Sequence, residues 1–159
     1  MLFSKKSSYL LAVADGKVIP LSQVPDEAFA SGILGQGFAI QPTAGTIFSP
    51  VDGTVDHISE THHAYTLLYK DGLDVLVHIG IDTVEMKGEG FLPMVAEGDR
   101  VKAGDVLARA DLDLIRSRGF PTDIPVLITN PERLEHHAVT DSDTVTGGRS
   151  AVMEYRIKS

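Results

Sequence analysis

Short apolar segments alternate with turn-forming residues along almost the whole chain. Segments rich in Val, Ile, Leu and Tyr are separated by Gly, Asp and Pro at positions 15–16, 35–37, 50–53, 70–72, 97–99, 103–105 and 146–148. Many short strands with frequent turns are typical of a sandwich or a barrel. The pattern therefore predicts an all-β fold.

Two segments carry the signals of a helix start instead. Asp111 precedes a segment that ends at Gly119 with two arginines in its last turn, as in a capped helix. Asn130 is followed by PERLEHH, which places Pro131 at the first helical position. We therefore predict two short helices, one after Asp111 and one from Pro131.

Two pairs of similar segments suggest an internal repeat. ADGKV at 14–18 resembles VDGTV at 51–55, and EGDRV at 97–101 resembles AGDVL at 103–107. Asp-Gly and Gly-Asp are also common turn dipeptides. The pattern fits a duplicated β unit and, equally, a set of independent turns.

The composition fits one domain without disulfides. The chain has 159 residues, 43% of them apolar, and no cysteine, which excludes cysteine-based zinc sites and thiol catalysis. A net charge of −8 without a basic cluster argues against nucleic acid and permits a basic protein partner. We expect a cytoplasmic monomer with a flexible tail over 1–9, one domain over 10–159 and no transmembrane segment.

His78 lies in the apolar run VLVHI, and the residues before it predict a β-hairpin. A two-residue turn at 71–72 would place Tyr65 opposite His78, with His63 diagonal to His78 on the same face. A four-residue loop over 69–72 would place the two histidines directly opposite each other, whereas a three-residue loop would place them on opposite faces. Two of these three loops bring the imidazoles together.

Other polar residues accompany this pair. Thr61 shares the predicted face of His63, while the neighbouring His62 points to the other face. Asp82 follows a turn at Gly80, which could return its carboxylate toward His78. A lone histidine in an apolar strand is usually a core residue, but a second one on its face suggests a function. The remaining histidines are interpreted as solvated: His57, His136 and His137.

The histidine pair could take part in zinc binding, serine hydrolysis or phosphoryl transfer. Zinc needs at least three protein ligands, which His63, His78 and Asp82 could supply, although the chain lacks a His-x-His motif. Serine hydrolysis is disfavoured because no Gly-x-Ser-x-Gly occurs. A nucleophilic imidazole supported by a second ring fits phosphoryl transfer, whose catalysis is mostly positioning and charge stabilisation.

The sequence around these histidines resembles the glucose-type enzyme IIA of the bacterial sugar phosphotransferase system. The resemblance covers nearly everything from about residue 10 onward and is most specific in VHIGIDTV and ETHHA. The matching segments are residues 24–26, 35–40, 50–54, 60–64, 77–84, 87–91, 98–101, 122–130 and 144–146.

This resemblance implies an antiparallel β-sandwich or barrel of the duplicated hybrid type, and it implies a role for each site residue. His78 would carry the phosphoryl group, His63 would support it, and Thr61 would be the hydroxyl partner of His63. Gly80 would orient His78 through its backbone carbonyl, and Asp82 would shape the rim. The donor would be the phosphorylated carrier protein HPr, and the acceptor a cysteine of a sugar-specific enzyme IIB domain.

The resemblance also implies a docking surface for protein partners. We expect an exposed apolar ring around the histidines, formed by Phe29, Ile33, Leu34 and Leu76, and we expect Val84 to bind partners together with this ring. His62 stands where the family commonly has asparagine, and Glu27, Ala28 and Ser59 stand where larger apolar groups are expected. These smaller residues weaken the case for broad regulatory partnerships but not for the phosphoryl relay.

The alternatives predict different cofactors. The enzyme IIA interpretation requires none, although His63 and His78 could hold zinc together with a partner's ligand. Residues 95–107 and the Met86-Lys87 pair resemble part of a biotinyl or lipoyl domain, which would carry a modified lysine. A regulatory binder without catalysis is disfavoured because both histidines and Thr61 are present. The tail contains Leu2, Phe3, Lys5 and Lys6, which could touch anionic lipid.

Overall fold

The computed structural model describes residues 7–69, 72–140 and 143–158. Strands follow one another as β1 (Ser8–Leu11), β2 (Gly16–Pro20), β3 (Gln36–Pro42), β4 (Thr46–Phe48), β5 (Gly53–Ile58), β6 (Ala64–Leu68), β7 (Asp74–His78), β8 (Phe91–Pro93), β9 (Arg100–Val101), β10 (Val106–Ala110), β11 (Ile124–Ile128), β12 (Leu134–Val139), β13 (Thr144–Val145) and β14 (Ala151–Ile157). Helices α1 (Glu27–Ala30) and α2 (Leu112–Ser117) accompany 3₁₀ turns at Leu21–Gln23, Thr83–Met86 and Pro131–Arg133.

The described strands form one large sheet and two small ones. The large sheet has the order β13-β2-β3-β11-β7-β6-β5-β9, and the small sheets are β1-β14-β12 and β4-β10-β8. Neighbouring strands pair antiparallel in all three sheets. The all-β prediction is therefore confirmed, together with the antiparallel sandwich that the resemblance implies.

Two apolar clusters lie on opposite faces of the large sheet near its centre, which explains why every residue of β11 is buried. Val126 faces the main core, whereas its neighbour Leu127 faces a smaller cluster on the other side. The smaller cluster consists of Ile19, Leu21, Val24, Phe29, Ala39, Ile81 and Leu127, with Leu76 packed against it. It attaches α1 and the turn before it to the sheet beside β7.

One of the two predicted helices is confirmed, and the other starts at the predicted residue but is shorter than predicted. Asp111 caps α2 by accepting a hydrogen bond from the Leu114 N–H at 3.1 Å. The segment after Asn130 forms only the 3₁₀ turn Pro131–Arg133 and then continues as β12, which pairs with β14. The start signal at Pro131 is local, and strand pairing with β14 outweighs it.

Helix α1 has no counterpart in the sequence prediction. Asp26 caps it, and its carboxylate accepts from the backbone N–H groups of Ala28 and Phe29 at 2.9 and 3.2 Å. A four-residue helix is too short for a helical period to show in the sequence. The capping residue Asp26 is therefore the only sequence signal for this helix.

The first sequence echo corresponds to a repeated structural device. Asp15 accepts a hydrogen bond from the Gly147 N–H, and Asp52 accepts one from the Ala103 N–H, both at 2.8 Å. Each aspartate thus ties the start of a strand to a distant turn. The equivalence favours a duplicated unit for these two segments rather than two independent turns.

The second echo has a local explanation. Asp99 and Asp105 each accept a hydrogen bond from the backbone N–H three residues earlier, at 2.9 and 2.8 Å. Such a contact is a common way to close a tight turn. The second pair of similar segments is therefore one type of tight turn that occurs twice in succession.

The N-terminal strand begins at Ser8, opposite Tyr155 of β14. Ser8 and Tyr9 thus lie in a strand, within the segment that the sequence predicts as a tail. Residues 1–6, with the predicted lipid-contacting side chains of Leu2, Phe3, Lys5 and Lys6, lie outside the described residues. Across the described ranges, no helix has the length and apolar character needed to cross a membrane.

Candidate functional site

The hairpin of β6 and β7 has a different register from the one favoured by the sequence. Ala64, not Tyr65, lies opposite His78, and the Tyr69 N–H bonds to the Leu73 carbonyl at 2.9 Å. This is the register of a three-residue loop, so the prediction of a two-residue turn is wrong. Asp71, the first residue of that predicted turn, lies outside the described residues.

The two imidazoles nevertheless meet. Their centroids are 4.7 Å apart and the ring planes stand at 82°, an edge-to-face arrangement. His63 precedes β6, within a turn that Ser59 closes by bonding its N–H to the Ala64 carbonyl at 3.0 Å. Because His63 lies outside the regular strand, the alternation of faces that holds within β6 does not fix its side chain.

His62 enables this turn through its backbone conformation. Its φ is 61°, in the left-handed region where asparagine, aspartate and histidine are enriched among residues other than glycine. The sequence predicts that the alternation of faces along a strand points His62 away from the pair. In the structure His62 lies in a turn, where that alternation does not apply.

His78 has a fixed tautomer. Its Nδ1 lies 2.7 Å from the carbonyl oxygen of Gly80. A carbonyl oxygen only accepts hydrogen bonds, so Nδ1 carries the proton and donates it. The lone pair of the neutral ring is therefore on Nε2.

His63 is held by hydroxyl groups. Its Nδ1 lies 2.6 Å from Thr61 Oγ1 and 3.3 Å from Ser59 Oγ. The Thr61 contact is the one that the resemblance implies. From the sequence, Ser59 is expected only to be a small residue on the partner surface, and its contact with the His63 ring is not predicted.

The pair is flanked by aromatic rings. Phe29 packs against His78 with centroids 5.0 Å apart, and Phe91 lies 6.4 Å from His63. His63 is buried, with 7% of its surface exposed, and His78 is half-buried. The pair is thus enclosed on its sides but remains reachable at His78.

Burial shifts the acid–base behaviour of both rings toward the neutral form. It lowers the pKa of His63 from 6.5 to about 4, with a further contribution from the charge of His78. Burial also lowers the pKa of His78, against the opposing effects of the Gly80 hydrogen bond and the carboxylates of Asp26 and Asp82. Both imidazoles are therefore neutral at pH 7.

The predicted ring of exposed apolar residues is only partly correct. Ile33, Leu34 and Val84 are exposed, with 80%, 42% and 50% of their surfaces accessible. Phe29 is buried because it is the inward-facing residue of α1, and Leu76 is half-buried against the same cluster. Ile33 and Leu34 follow α1 on one side of the histidine pair, and Val84 follows Asp82 on the other side.

The structure does not assemble the proposed zinc site. Among residues 7–69, 72–140 and 143–158, no three side chains of His, Cys, Asp or Glu are arranged to hold a metal ion. Asp82, the third candidate ligand, is an exposed residue with a left-handed backbone, φ 60°. The described residues therefore do not bring His63, His78 and Asp82 together as a three-ligand metal site.

The candidate carrier lysine, Lys87, lies in a turn that is separate in the chain from residues 95–107. It ends the 3₁₀ turn Thr83–Met86 with a φ of 55°. The segment predicted to resemble half of such a domain is divided between β9, β10 and their connecting turns. The local similarity at 95–107 therefore reflects short strands and Gly-Asp turns.

Comparisons with known proteins converge on one family. The family model described as phosphoenolpyruvate-dependent sugar phosphotransferase system, EIIA 1, matches residues 8–134. A glucose-specific EIIA component of this system from Bacillus anthracis is 42% identical over 149 residues, covering 94% of this chain and 90% of that protein. The solved structure of the glucose permease IIA from Mycoplasma capricolum matches with a TM-score of 0.86 and 33% identity, covering 96% of this chain and 99% of that one.

A further relative is much longer than this chain. The glucose-specific EIICBA component from Streptococcus pneumoniae serotype 4 is 47% identical over 133 residues, which cover 84% of this chain but 18% of that protein. The chain thus spans less than a fifth of this relative, whereas it spans most of the one from Bacillus anthracis.

Proposed function

Because this chain belongs to the EIIA 1 family of the phosphoenolpyruvate-dependent sugar phosphotransferase system, we propose that it carries the phosphoryl group on Nε2 of His78. The chain is a phosphotransferase component and a phosphoryl carrier in sugar uptake. One observation supports the choice of atom: the Gly80 carbonyl holds the proton of His78 on Nδ1. That leaves the Nε2 lone pair free for attack.

Transfer onto this atom is a balanced exchange of one bond for another. The Nε2 lone pair of neutral His78 attacks the phosphorus, and the bond between phosphorus and the donor breaks with its electron pair leaving on the donor. The proton stays on Nδ1, which donates its hydrogen bond to the Gly80 carbonyl throughout. In the next step the thiolate of the acceptor attacks the same phosphorus, and Nε2 recovers its lone pair.

His63 stabilises the transferred group in this proposal. When the Thr61 hydroxyl donates to Nδ1 of His63, the ring carries its proton on Nε2 and can donate it to a phosphoryl oxygen. A donor aimed at developing charge in an enclosed site is among the largest contributions to catalysis. The centroid distance of 4.7 Å between the two rings supports the proposal that both contact one phosphoryl group.

The partners follow from the family. We propose phosphorylated HPr as the donor and the cysteine of an enzyme IIB domain as the acceptor, with the sugar selected by the membrane-spanning partner and the relay located in the cytoplasm. Ile33, Leu34 and Val84 would be covered by each partner in turn, which excludes water during transfer. The relay needs no cofactor, and a zinc ion would bind the two histidines only with a further ligand from a partner.

Reconstitution of the relay tests the proposal. The protein is incubated with phosphoenolpyruvate, enzyme I and HPr, and its intact mass is measured before and after. We expect one phosphoryl group per chain, stable in base and labile in acid, which maps to His78. A label on a hydroxyl residue or on another histidine would overturn the proposal.

A further inference from the structure

The carbonyl that orients His78 belongs to a glycine. Gly80 has a φ of 81°, in the left-handed region that favours glycine, and a side chain there would overlap the Thr83 Cγ2 methyl. Glycine adopts this conformation readily because its backbone is the least restricted of all residues, and for the same reason it is flexible. The direction of the Gly80 carbonyl must therefore be fixed by other groups.

The peptide after Gly80 is fixed through its N–H. The Ile81 N–H donates to the Pro121 carbonyl at 3.1 Å, while the Gly80 carbonyl of the same peptide accepts from His78. The two bonds thus lie at opposite ends of one peptide unit. Hydrogen bonds in such a chain polarise one another, which strengthens Gly80 as an acceptor.

The peptide before Gly80 is fixed through its oxygen. Thr83 Oγ1 donates to the Ile79 carbonyl at 2.6 Å. Thr83 is fully buried, and its hydroxyl closes the turn that runs from β7 into the 3₁₀ turn. With both flanking peptides held, rotation about the backbone bonds of Gly80 is blocked.

We propose that Thr83 is a positioning residue for phosphoryl transfer. Its hydroxyl holds the Ile79 carbonyl and so restricts the backbone of Gly80 from the side opposite the Pro121 bond. This restriction directs the Gly80 carbonyl at His78, which keeps the proton on Nδ1 and the lone pair on Nε2. This inference rests on the proposed function of His78. The Thr83 hydroxyl bonds to the Ile79 carbonyl and not to His78, so its effect is transmitted through the backbone and the tautomer.

The decisive variant is Thr83→Val, which keeps the shape of the side chain and removes the hydroxyl. Ring ¹⁵N spectra of His78 in the unphosphorylated protein report the fraction of the Nδ1–H tautomer. Initial rates with phosphorylated HPr report acceptance. We expect Thr83→Val to move His78 toward the Nε2–H tautomer and to slow acceptance roughly fivefold, as for the loss of one hydrogen bond.

Two further variants separate positioning from stability. Thr83→Ser keeps the hydroxyl and should retain the wild-type tautomer and rate. Ser49→Ala removes another fully buried hydroxyl, which donates to the Val51 carbonyl at 2.7 Å in the connection after β4. It should lower stability without changing the His78 tautomer.

Each outcome is informative. An Nδ1–H tautomer retained in Thr83→Val, at any rate of transfer, would overturn the inference, as would an equal tautomer shift in Ser49→Ala. If Thr83→Val does not fold, a lost Nδ1–H tautomer in folded Thr83→Ser overturns it, and a retained one supports it. Failure of the wild-type protein to be phosphorylated on His78 would refute the proposed function and leave the tautomer result standing.

Discussion

The imidazole rings of His63 and His78 meet edge to face at 4.7 Å although the pairing of β6 with β7 does not place them on one face. His63 escapes the regular strand because His62 adopts a left-handed conformation. The pair is thus a product of a turn rather than of a sheet. Its geometry depends on the backbone before β6 and after β7, where Thr61 and Gly80 fix the two rings.

The two histidines are expected to differ in how their loss affects transfer. His78→Ala should abolish phosphoryl acceptance, because no other group supplies the attacking nitrogen. His63→Ala should retain acceptance but slow it by about 10²–10³, the cost of one donor aimed at developing charge. Stopped-flow measurements with phosphorylated HPr check this.

A matched histidine outside the site provides the control for these two variants. His57 is exposed and pairs with Glu97, so His57→Ala should transfer at the wild-type rate. If His63→Ala also transfers at that rate, the pairing of the imidazoles is structural only.

Acid should destabilise the fold through His63. Its folded pKa is about 4 and its ordinary value is 6.5, so the unfolded chain binds more protons between these pH values. The free energy of unfolding should therefore fall as pH decreases from 6.5 to about 4, with a slope of at most about 1.4 kcal/mol per pH unit from this residue.

Denaturant unfolding at several pH values isolates this contribution. The pH slope should be shallower in His63→Gln than in the wild-type protein over that window. Equal slopes in the wild-type protein and in His63→Gln would show that His63 titrates in the folded protein as it does in the unfolded chain.

Asp26 combines two roles that substitution can separate. Its carboxylate caps α1 and also raises the pKa of His78. Asn keeps the cap and removes the charge, whereas Ala removes both, at a cost of about 0.5–2 kcal/mol in stability. We expect both variants to lower the pKa of His78 further, and only Asp26→Ala to lower the free energy of unfolding.

NMR titration of His78 and denaturant unfolding check this pair of effects. If Asp26→Asn leaves the His78 pKa unchanged while Asp26→Ala lowers it, the effect comes from displacement of α1 and Phe29 rather than from the charge.

The sequence predicts the elements of this site better than their arrangement. The cap at Asp111 and the short strands follow from local rules of spacing and turn chemistry. The contact between the two imidazoles does not, because it arises from the left-handed turn at His62 and not from the predicted pairing of the strands. The register does not, because loops that differ by one residue are all compatible with the residues at 69–72. The inward position of Phe29 and the strand after Arg133 depend on packing and pairing with distant segments, which a local pattern does not contain.

The exposed apolar residues beside the pair should matter for partner recognition and not for folding. Ile33 is 80% exposed, so Ile33→Ser removes little buried surface and should change stability by less than about 0.5 kcal/mol. If Ile33 packs into each partner, the same change should raise the KM for phosphorylated HPr several-fold with little effect on kcat. Leu92→Ser is the matched control, because Leu92 is 57% exposed on β8 and belongs to no proposed contact. Equal KM values for Ile33→Ser and Leu92→Ser would place the docking surface elsewhere.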